Sequence, residues 1–203
     1  MNQYENDLIH NNAPARGEAV HDFFGTDEIF QRVAATADEE MSKPFQLMFV
    51  SGLAAGLSIG LSFYARAAVT AQVPDAPLIG NLLYPIGFLL IVIGRYQLFT
   101  ENTLTPVTLV LTRIASIPTL LRIWAVVLVA NLLGSMTLAF FMSQTNLFAP
   151  EAAAQAIDFW YHAEELSWDA LFVKGIMAGW LVASMVWLVH ASRDTISRVL
   201  LVF

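Results

Sequence analysis

An apolar run at residues 80–113 is too long to be one membrane-spanning helix. As a straight α-helix its 34 residues would reach about 51 Å, whereas about 20 residues cross the roughly 30 Å hydrocarbon core. The polar segment GRYQLFTENTLTP, residues 94–106, interrupts the run. We therefore predict a second span over residues 80–113 that is broken at 95–105.

Three further apolar runs have the length of a single span. They cover residues 45–70, 119–142 and 167–191, and a fifth run at 195–203 is incomplete. Hydrophobic residues make up 57% of the chain and charged residues 13%, against about 25% charged residues in soluble domains. Such runs indicate helices in lipid, because a helix satisfies its own backbone hydrogen bonds. We predict an all-α multi-pass membrane protein whose transmembrane domain covers residues 45–203.

The N-terminal 44 residues are polar and acidic. They contain nine acidic and three basic side chains, which accounts for most of the net charge of −7. Residues 1–25 form a polar acidic tail by composition, and residues 26–44 are predicted to form an amphipathic helix. Its apolar face consists of Ile29, Phe30, Val33, Ala34 and Ala37. The helix either lies against its own protein or recruits a partner, and the acidic charge argues against nucleic-acid binding.

Basic residues are concentrated on one side of the predicted spans. With a cytoplasmic N-terminus, the inside positions hold Arg32, Lys43, Arg113, Arg122, Arg193 and Arg198. The outside segments, residues 71–79 and 143–166, hold no Lys or Arg. Under the positive-inside rule this asymmetry predicts that the N-terminus and the amphipathic helix are cytoplasmic. Residues 150–166 are predicted to be a short external amphipathic helix.

An internal repeat links the first and fourth spans. Residues 49–56 (FVSGLAAG) and 172–179 (FVKGIMAG) share the pattern F-V-x-G-[LI]-x-A-G at an offset of 123 residues. Either two spans rich in Gly and Ala resemble each other by chance, or the chain contains an inverted repeat, a plan typical of transporters and channels. A repeat would place a second broken segment at about residues 217–229. We therefore expect the sequence to be a C-terminally truncated form of a longer protein.

The broken segment contains the polar groups expected of a permeation path. Non-helical backbone at membrane depth is tolerated where it is buried in protein or lines a water-filled cavity. Thr105-Pro106 is typical of a helix start, with Thr105 as N-cap, and the free N–H groups of a new half-helix suit an anion. Alternatively, the polar groups only satisfy backbone opened by the kink. Five residues of the segment are candidates for the substrate pathway. Leu98 and Phe99 would narrow it, and Thr100, Asn102 and Thr103 would offer hydrogen bonds. Arg95 and Glu101 are expected to form an ion pair that stabilises the loop.

Lys174 is a further charge inside a predicted span. It either extends toward the interface or provides a cation in an outer vestibule of the substrate pathway. The chain has no cysteine, no metal-ligand spacing and no nucleotide-binding loop, so we expect no metal site and no cofactor. The spans also lack a cluster of catalytic residues, so we expect a protein that is not an enzyme.

Several segments resemble the formate/nitrite transporter family. They are FVSGLAAGLSIG in the first span, LFTEN in the broken span, Asn131-Leu132-Leu133-Gly134 in the third, Gly179-Trp180-Leu181-Val182 in the fourth, and the lead-in EEMSKP. The resemblance covers about residues 26–203 and is greatest to a less-characterised bacterial inner-membrane branch with the motif GRxQLFTENT. It implies an aquaporin-like homopentamer of six spans per protomer, of which about 4.5 are present here, with one pore in each protomer.

The resemblance also implies a function and its residues. Members pass small monovalent anions such as formate, nitrite or hydrosulfide, with or without protons. Leu98, Phe99 and Thr100 would lie on the constricting loop, with the Thr100 hydroxyl facing the permeant. The chain departs from better-known members in two respects. Gln97 stands where they have an acidic residue just before LFT, and the number of residues after the glycine that matches Gly94 differs by one. The histidine of their second broken helix would lie beyond Phe203.

Two classes of function remain open from the sequence. The first is a channel or secondary transporter for small monovalent anions or their weak acids. The second is a non-conducting membrane scaffold or regulatory protein that recruits a cytoplasmic partner through the acidic N-terminal helix. The partners expected for the first class are a small anion, the lipid bilayer and four further copies of the same chain.

Overall fold

The computed structural model describes residues 23–145 and 149–203, which are helical with short connections and contain no strand. The predicted all-α multi-pass fold is thereby confirmed. Most of the predicted tail, residues 1–22, lies outside the described residues. In chain order the helices are α1 (Thr26–Ser42), α2 (Phe45–Gln72), α3 (Pro77–Leu83), α4 (Ile86–Gly94), α5 (Thr105–Leu111), α6 (Ile117–Gln144), α7 (Pro150–Glu164), α8 (Trp168–Ala191) and α9 (Thr195–Val202).

Four helical segments in the described part of the chain are long and apolar enough to cross a membrane. They are α2, α6, α8 and the combined segment Pro77–Gly94, which consists of α3 and α4. The helices α3 and α4 are separated at Tyr84 and Pro85, because proline has no N–H to continue the helical ladder. The predicted spans at 45–70, 119–142 and 167–191 correspond to α2, α6 and α8 with ends that differ by two residues or fewer.

Glycines allow α2 and α6 to approach each other closely. A Cβ atom at Gly56 would collide with the backbone carbonyl of Asn131, and one at Gly134 would collide with the carbonyl of Leu53. Small residues at such a crossing bring helices into van der Waals contact, which is the main source of helix association in lipid. Among the described residues, no atom lies within 4 Å of a Cβ added at the repeat-related Gly175 or Gly179 of α8. The two copies of the repeat therefore have different surroundings.

The amphipathic helix α1 packs against the rest of the chain. Its buried residues are Ile29, Val33, Ala37 and Glu40, and it contacts α5, α6 and α8. Phe30, which was predicted on the apolar face, is 38% exposed. The helix ends before Lys43-Pro44, because the residue before a proline disfavours helical backbone. The α1 helix thus covers one end of the interrupted span.

Candidate functional site

The second span is interrupted between Gly94 and Thr105. Arg95 ends α4 in the left-handed conformation (φ 53°, ψ 42°), and the N–H of Tyr96 donates to Ile91 O at 3.0 Å. A single 3-10 turn, Glu101–Thr103, follows before α5 begins. The backbone of residues 95–104 therefore leaves the helical ladder, and its polar groups need other partners.

Thr105 does not cap α5 as predicted. Leu104 occupies the N-cap position, and Thr105 and Pro106 are the first two helical residues. The Thr105 hydroxyl donates instead to Glu40 Oε2 at 2.6 Å, and both residues are buried. A charge-assisted bond to a buried carboxylate is stronger than a neutral capping bond, which explains the change of partner.

Asn131 of α6 holds the interrupted backbone in place. Its Oδ1 accepts from the N–H of Phe99 at 2.8 Å, and its Nδ2 donates to Gln97 O at 2.9 Å and to Gly52 O at 2.8 Å. Because the three partners are backbone groups, they define which end of the amide is oxygen and which is nitrogen. One side chain thus joins α6, α2 and the break.

Buried polar groups continue this network around the break. The N–H of Gln97 donates to Ser51 Oγ at 3.0 Å, and the Asn102 amide donates to Gln97 Oε1 at 3.4 Å. The indole N–H of Trp124 donates to Asn102 O at 2.9 Å. These bonds satisfy backbone and side-chain groups that would otherwise be unpaired in an apolar environment. The network therefore stabilises one conformation of the loop.

The predicted pathway residues have different environments. Leu98 is 5% exposed and packs with Ala55 and Ile91 in the core. Phe99 lies edge-on to Trp124 with ring centroids 5.8 Å apart. Asn102 is fully buried. Thr100 and Thr103 are half-buried, and the Thr103 hydroxyl donates to Thr100 O at 2.6 Å.

Thr100 and Lys174 differ from the residues of the network. Within residues 23–145 and 149–203, the Thr100 hydroxyl has no hydrogen-bond partner, so it is available to another ligand. Lys174 is exposed on α8. The structure gives it no hydrogen bond or ion pair with the interrupted segment.

The predicted ion pair between Arg95 and Glu101 is wrong. Arg95 pairs instead with Glu39 of α1, with 2.8 Å between the guanidinium nitrogen and the carboxylate oxygen, and the two side chains are 65% and 53% exposed. The reason is the left-handed turn at Arg95, which leaves its side chain at the exposed end of α4. Glu101 lies farther along in the 3-10 turn. Glu39 and Glu40 of α1 thus contact the two ends of the break.

Burial raises the pKa of the Glu40 carboxyl above its usual value of 4.5. The Thr105 hydroxyl, the charge of Lys43 and the Gln97 amide oppose this effect, whereas the charge of Glu39 adds to it. The folded protein thus binds the Glu40 proton more tightly than the unfolded chain does. Stability from this group is fully present below pH 4.5 and is lost as the pH rises through the raised pKa.

We expect Glu40→Gln to flatten the dependence of stability on pH. The glutamine oxygen can still accept from Thr105, but the side chain no longer titrates. The variant should therefore gain stability relative to the wild type as the pH rises from 4 to 8, with each kcal/mol raising Tm by about 2–4 °C. Thermal unfolding in detergent across this range measures the effect.

Glu39→Gln is the matched control for that experiment. It makes the same chemical change at the adjacent residue, whose exposed pair with Arg95 is worth about 0–1 kcal/mol. Its curve should keep most of the wild-type slope, because burial, the largest cause of the raised pKa of Glu40, is unchanged. A Glu40→Gln curve parallel to the wild-type curve would contradict the role given to the buried carboxyl.

A cavity of about 430 Å³ lies between α1, the interrupted span, α8 and α9. Its lining includes the charged residues Arg32, Glu40, Lys43, Arg95, Glu101 and Arg198, together with His190. His190 Nε2 is 3.0 Å from the Thr36 hydroxyl, so α8 and α1 are joined by a polar contact at this cavity. The cavity provides a polar space beside the break.

Sequence analysis missed Asn131, Gln97, Glu39 and Glu40 as parts of the site. Asn131 carried a usable signal, since an amide in the middle of an apolar span indicates a specific partner. Glu40 continues the spacing of Ile29, Val33 and Ala37 on the inner face of α1, so its burial was also open to prediction. Glu39 carried no comparable signal, because its partner is 56 residues away in the sequence.

These features define a multi-pass α-helical membrane protein with an interrupted span that is held by contacts with α1, α2 and α6. The chain belongs to the formate/nitrite transporter family, whose sequence profile matches residues 27–203. It is 30% identical over 184 residues to the inner membrane protein YfdC of Escherichia coli (strain K12), covering 88% of this chain and 56% of YfdC.

Other relatives are named as channels or transporters. Identity to the formate channel FocA of Haemophilus influenzae is 29% over 164 residues, covering 77% of this chain and 57% of FocA. Identity to the uncharacterized transporter YrhG of Bacillus subtilis (strain 168) is 24% over 185 residues, covering 86% of this chain and 68% of YrhG. The chain thus spans little more than half the length of YfdC and FocA. Such relatives fit the expectation of a protein that is not an enzyme.

Proposed function

We propose that this protein moves small monovalent anions or their weak acids across the bacterial inner membrane. The substrate class is that of formate, nitrite and hydrosulfide, with or without protons. Family membership supports this proposal, as do the names of relatives such as a formate channel and a probable formate transporter. The inner membrane location is in keeping with the name of YfdC.

The observation that carries the proposal is the interrupted span itself. Ten residues outside the α-helices, 95–104, which include the 3-10 turn Glu101–Thr103, lie within a helical bundle whose adjoining spans are strongly apolar. Backbone of this kind persists at membrane depth where protein or a water-filled cavity surrounds it. Here Asn131 holds the loop, a polar cavity adjoins it, and the Thr100 hydroxyl has no partner in the described chain. The loop is therefore suited to contact a polar permeant.

Topology and assembly form the second part of the proposal. The distribution of Lys and Arg supports a cytoplasmic N-terminus. The α6 and α8 helices expose large apolar side chains, such as Met136 and Trp180, at 65% and 62%. These faces suit lipid or a neighbouring copy, in keeping with a homopentamer that has a pore in each protomer.

The scaffold alternative has less support. The apolar face of α1 is occupied by contacts within the chain, because Ile29, Val33 and Ala37 are buried. A helix that recruits a partner through this face would first have to leave the break and α8. The α1 helix is therefore better explained as a support for the interrupted span.

We expect Thr100→Ala to reduce anion flux through the protein by about tenfold or more, because a hydrogen bond to a charged group is worth about 1.5–3 kcal/mol. The variant removes the hydroxyl proposed to face the permeant. The measurement is uptake of formate, nitrite and hydrosulfide by liposomes that contain the full protein.

Two further variants sharpen the flux experiment. Thr100→Ser keeps the hydroxyl and should retain most of the flux. Thr137→Ala removes an exposed hydroxyl that bonds within α6, so it should leave flux unchanged. Absence of flux for all three anions with the wild-type protein would refute the substrate assignment, and equal flux through Thr100→Ala would refute the role of Thr100.

A further inference from the structure

The cavity beside the break contains more positive charge than the transport proposal uses. Four of its lining side chains are cationic, namely Arg32, Lys43, Arg95 and Arg198, and two are carboxyls, Glu40 and Glu101. Arg95 is paired with Glu39, and Glu40 is bonded to Thr105. Two of the remaining cationic side chains, Arg32 and Arg198, lie where α1 meets the turn between α8 and α9.

Two arginines converge at that turn. An Nη atom of Arg32 and one of Arg198 each donate to the carbonyl oxygen of Ser192, at 3.4 Å in both cases. The Arg32 guanidinium also lies over the Phe24 ring, 4.1 Å from its centroid, which limits its movement. Among the described residues, neither Arg32 nor Arg198 has a carboxylate within 4.0 Å. Two like charges are therefore held together without a paired carboxylate from the described chain.

The arrangement has the chemistry of an oxyanion site. Like charges that share one carbonyl repel each other, and an anion bound between them would remove that repulsion. Guanidinium groups offer paired N–H donors that match the oxygens of phosphate and carboxylate. The Nε atom of Arg198 is buried without a partner in the described chain, so it has donor capacity to spare. The side chains of Thr36 and His190 line the same cavity.

Charge and size favour a ligand other than the proposed permeants. Two guanidinium groups match a doubly charged anion better than a monovalent one. The cavity volume of 430 Å³ is typical of pockets for small organic ligands, which measure about 300–1,000 Å³. A ligand as small as one water molecule would occupy only about 30 Å³. A phosphate group meets the charge criterion, and a small organic molecule that carries one also meets the size criterion.

We propose that Arg32 and Arg198 form a binding site for a phosphate group, either inorganic phosphate or the phosphoryl group of a small metabolite. The proposed topology places this site on the cytoplasmic side. Because the site joins α1 to the α8–α9 turn, a bound phosphate stabilises the packing of α1 against the rest of the chain. Binding does not depend on transport, so the two proposals can fail separately.

Thermal unfolding of the full protein in detergent tests the site. Inorganic phosphate should raise the Tm of the wild type by about 2–4 °C over potassium chloride of equal ionic strength. Arg32→Gln and Arg198→Gln should each abolish this rise. Arg122→Gln, which removes an exposed arginine of α6 outside the cavity, should keep it. The readout is the difference between two salts for one variant, so a change in basal stability does not obscure it.

Two further ligands separate the possible sources and outcomes. If glycerol 3-phosphate raises Tm more than inorganic phosphate does, the preferred ligand is an organic phosphate. If inorganic phosphate gives the larger rise in Tm, the preferred ligand is free phosphate. The proposal would be overturned if sodium formate raised Tm as much as phosphate does. It would also be overturned if phosphate still raised the Tm of both arginine variants. If phosphate binds but liposomes show no anion flux, the transport proposal fails and the phosphate site stands.

Discussion

Replacement of Asn131 by leucine is expected to abolish most anion flux and to destabilise the protein by on the order of 2–4 kcal/mol. The substitution leaves the N–H of Phe99 and the carbonyls of Gln97 and Gly52 without their partner. Leucine is similar in size and suits an apolar span, so the main change is the loss of three hydrogen bonds. The loop then loses its connection to both α2 and α6.

Two measurements on Asn131→Leu separate stability from positioning of the loop. Tm in detergent reports the packing of α6 on α2, and liposome flux below that temperature reports the conformation of the break. Thr137→Val is the matched control, because the Thr137 hydroxyl bonds only to Leu133 O in its own helix. Wild-type flux and Tm in Asn131→Leu would show that the amide does not hold the loop.

Gly56→Ala is expected to destabilise the protein by about 1–3 kcal/mol or more. The added methyl would collide with the carbonyl oxygen, the carbonyl carbon and the Cα atom of Asn131. Backbone atoms cannot rotate away as the end of a side chain can, so α2 and α6 must separate. That movement would also displace the Asn131 side chain from the break, and flux should fall together with Tm.

Gly60→Ala is the control for Gly56→Ala, with the same chemical change one turn along α2. There the added methyl meets the side chain of Leu138, whose Cδ2 atom would lie 2.8 Å away. Leu138 can change rotamer at small cost, so we expect a Tm within a few degrees of the wild type, since 1 kcal/mol shifts Tm by about 2–4 °C. If both alanine variants unfold at the same temperature, the distinction between backbone and side-chain contact is wrong.

The positions of the helices were largely predictable because they depend on local sequence. The first span was predicted at 45–70 and is Phe45–Gln72, and the break was predicted at 95–105 and lies between Gly94 and Thr105. Apolar length, a proline and a cluster of polar residues act over one or two turns of helix. Such signals need no knowledge of what packs against the segment.

The partners at the site were not predictable in the same way. Proximity in the sequence suggested Glu101 as the ion-pair partner of Arg95. The left-handed turn at Arg95 instead directs the Arg95 side chain to Glu39 of α1. Thr105 was expected to cap its own helix and instead meets Glu40, 65 residues earlier. In both cases a distant charge competes with a local interaction, and the outcome depends on which helices lie side by side.

By itself the sequence determined the membrane class of this protein, the number of its long apolar segments and the place where one of them is interrupted. Hydropathy and backbone geometry decide these features within a few residues. The tertiary structure alone decided how the interruption is held, through Asn131 of α6 and the paired carboxylates of α1, and it alone brought Arg32 and Arg198 to one carbonyl. Contacts between residues distant in the sequence form only when the helices pack, and no local pattern specifies them.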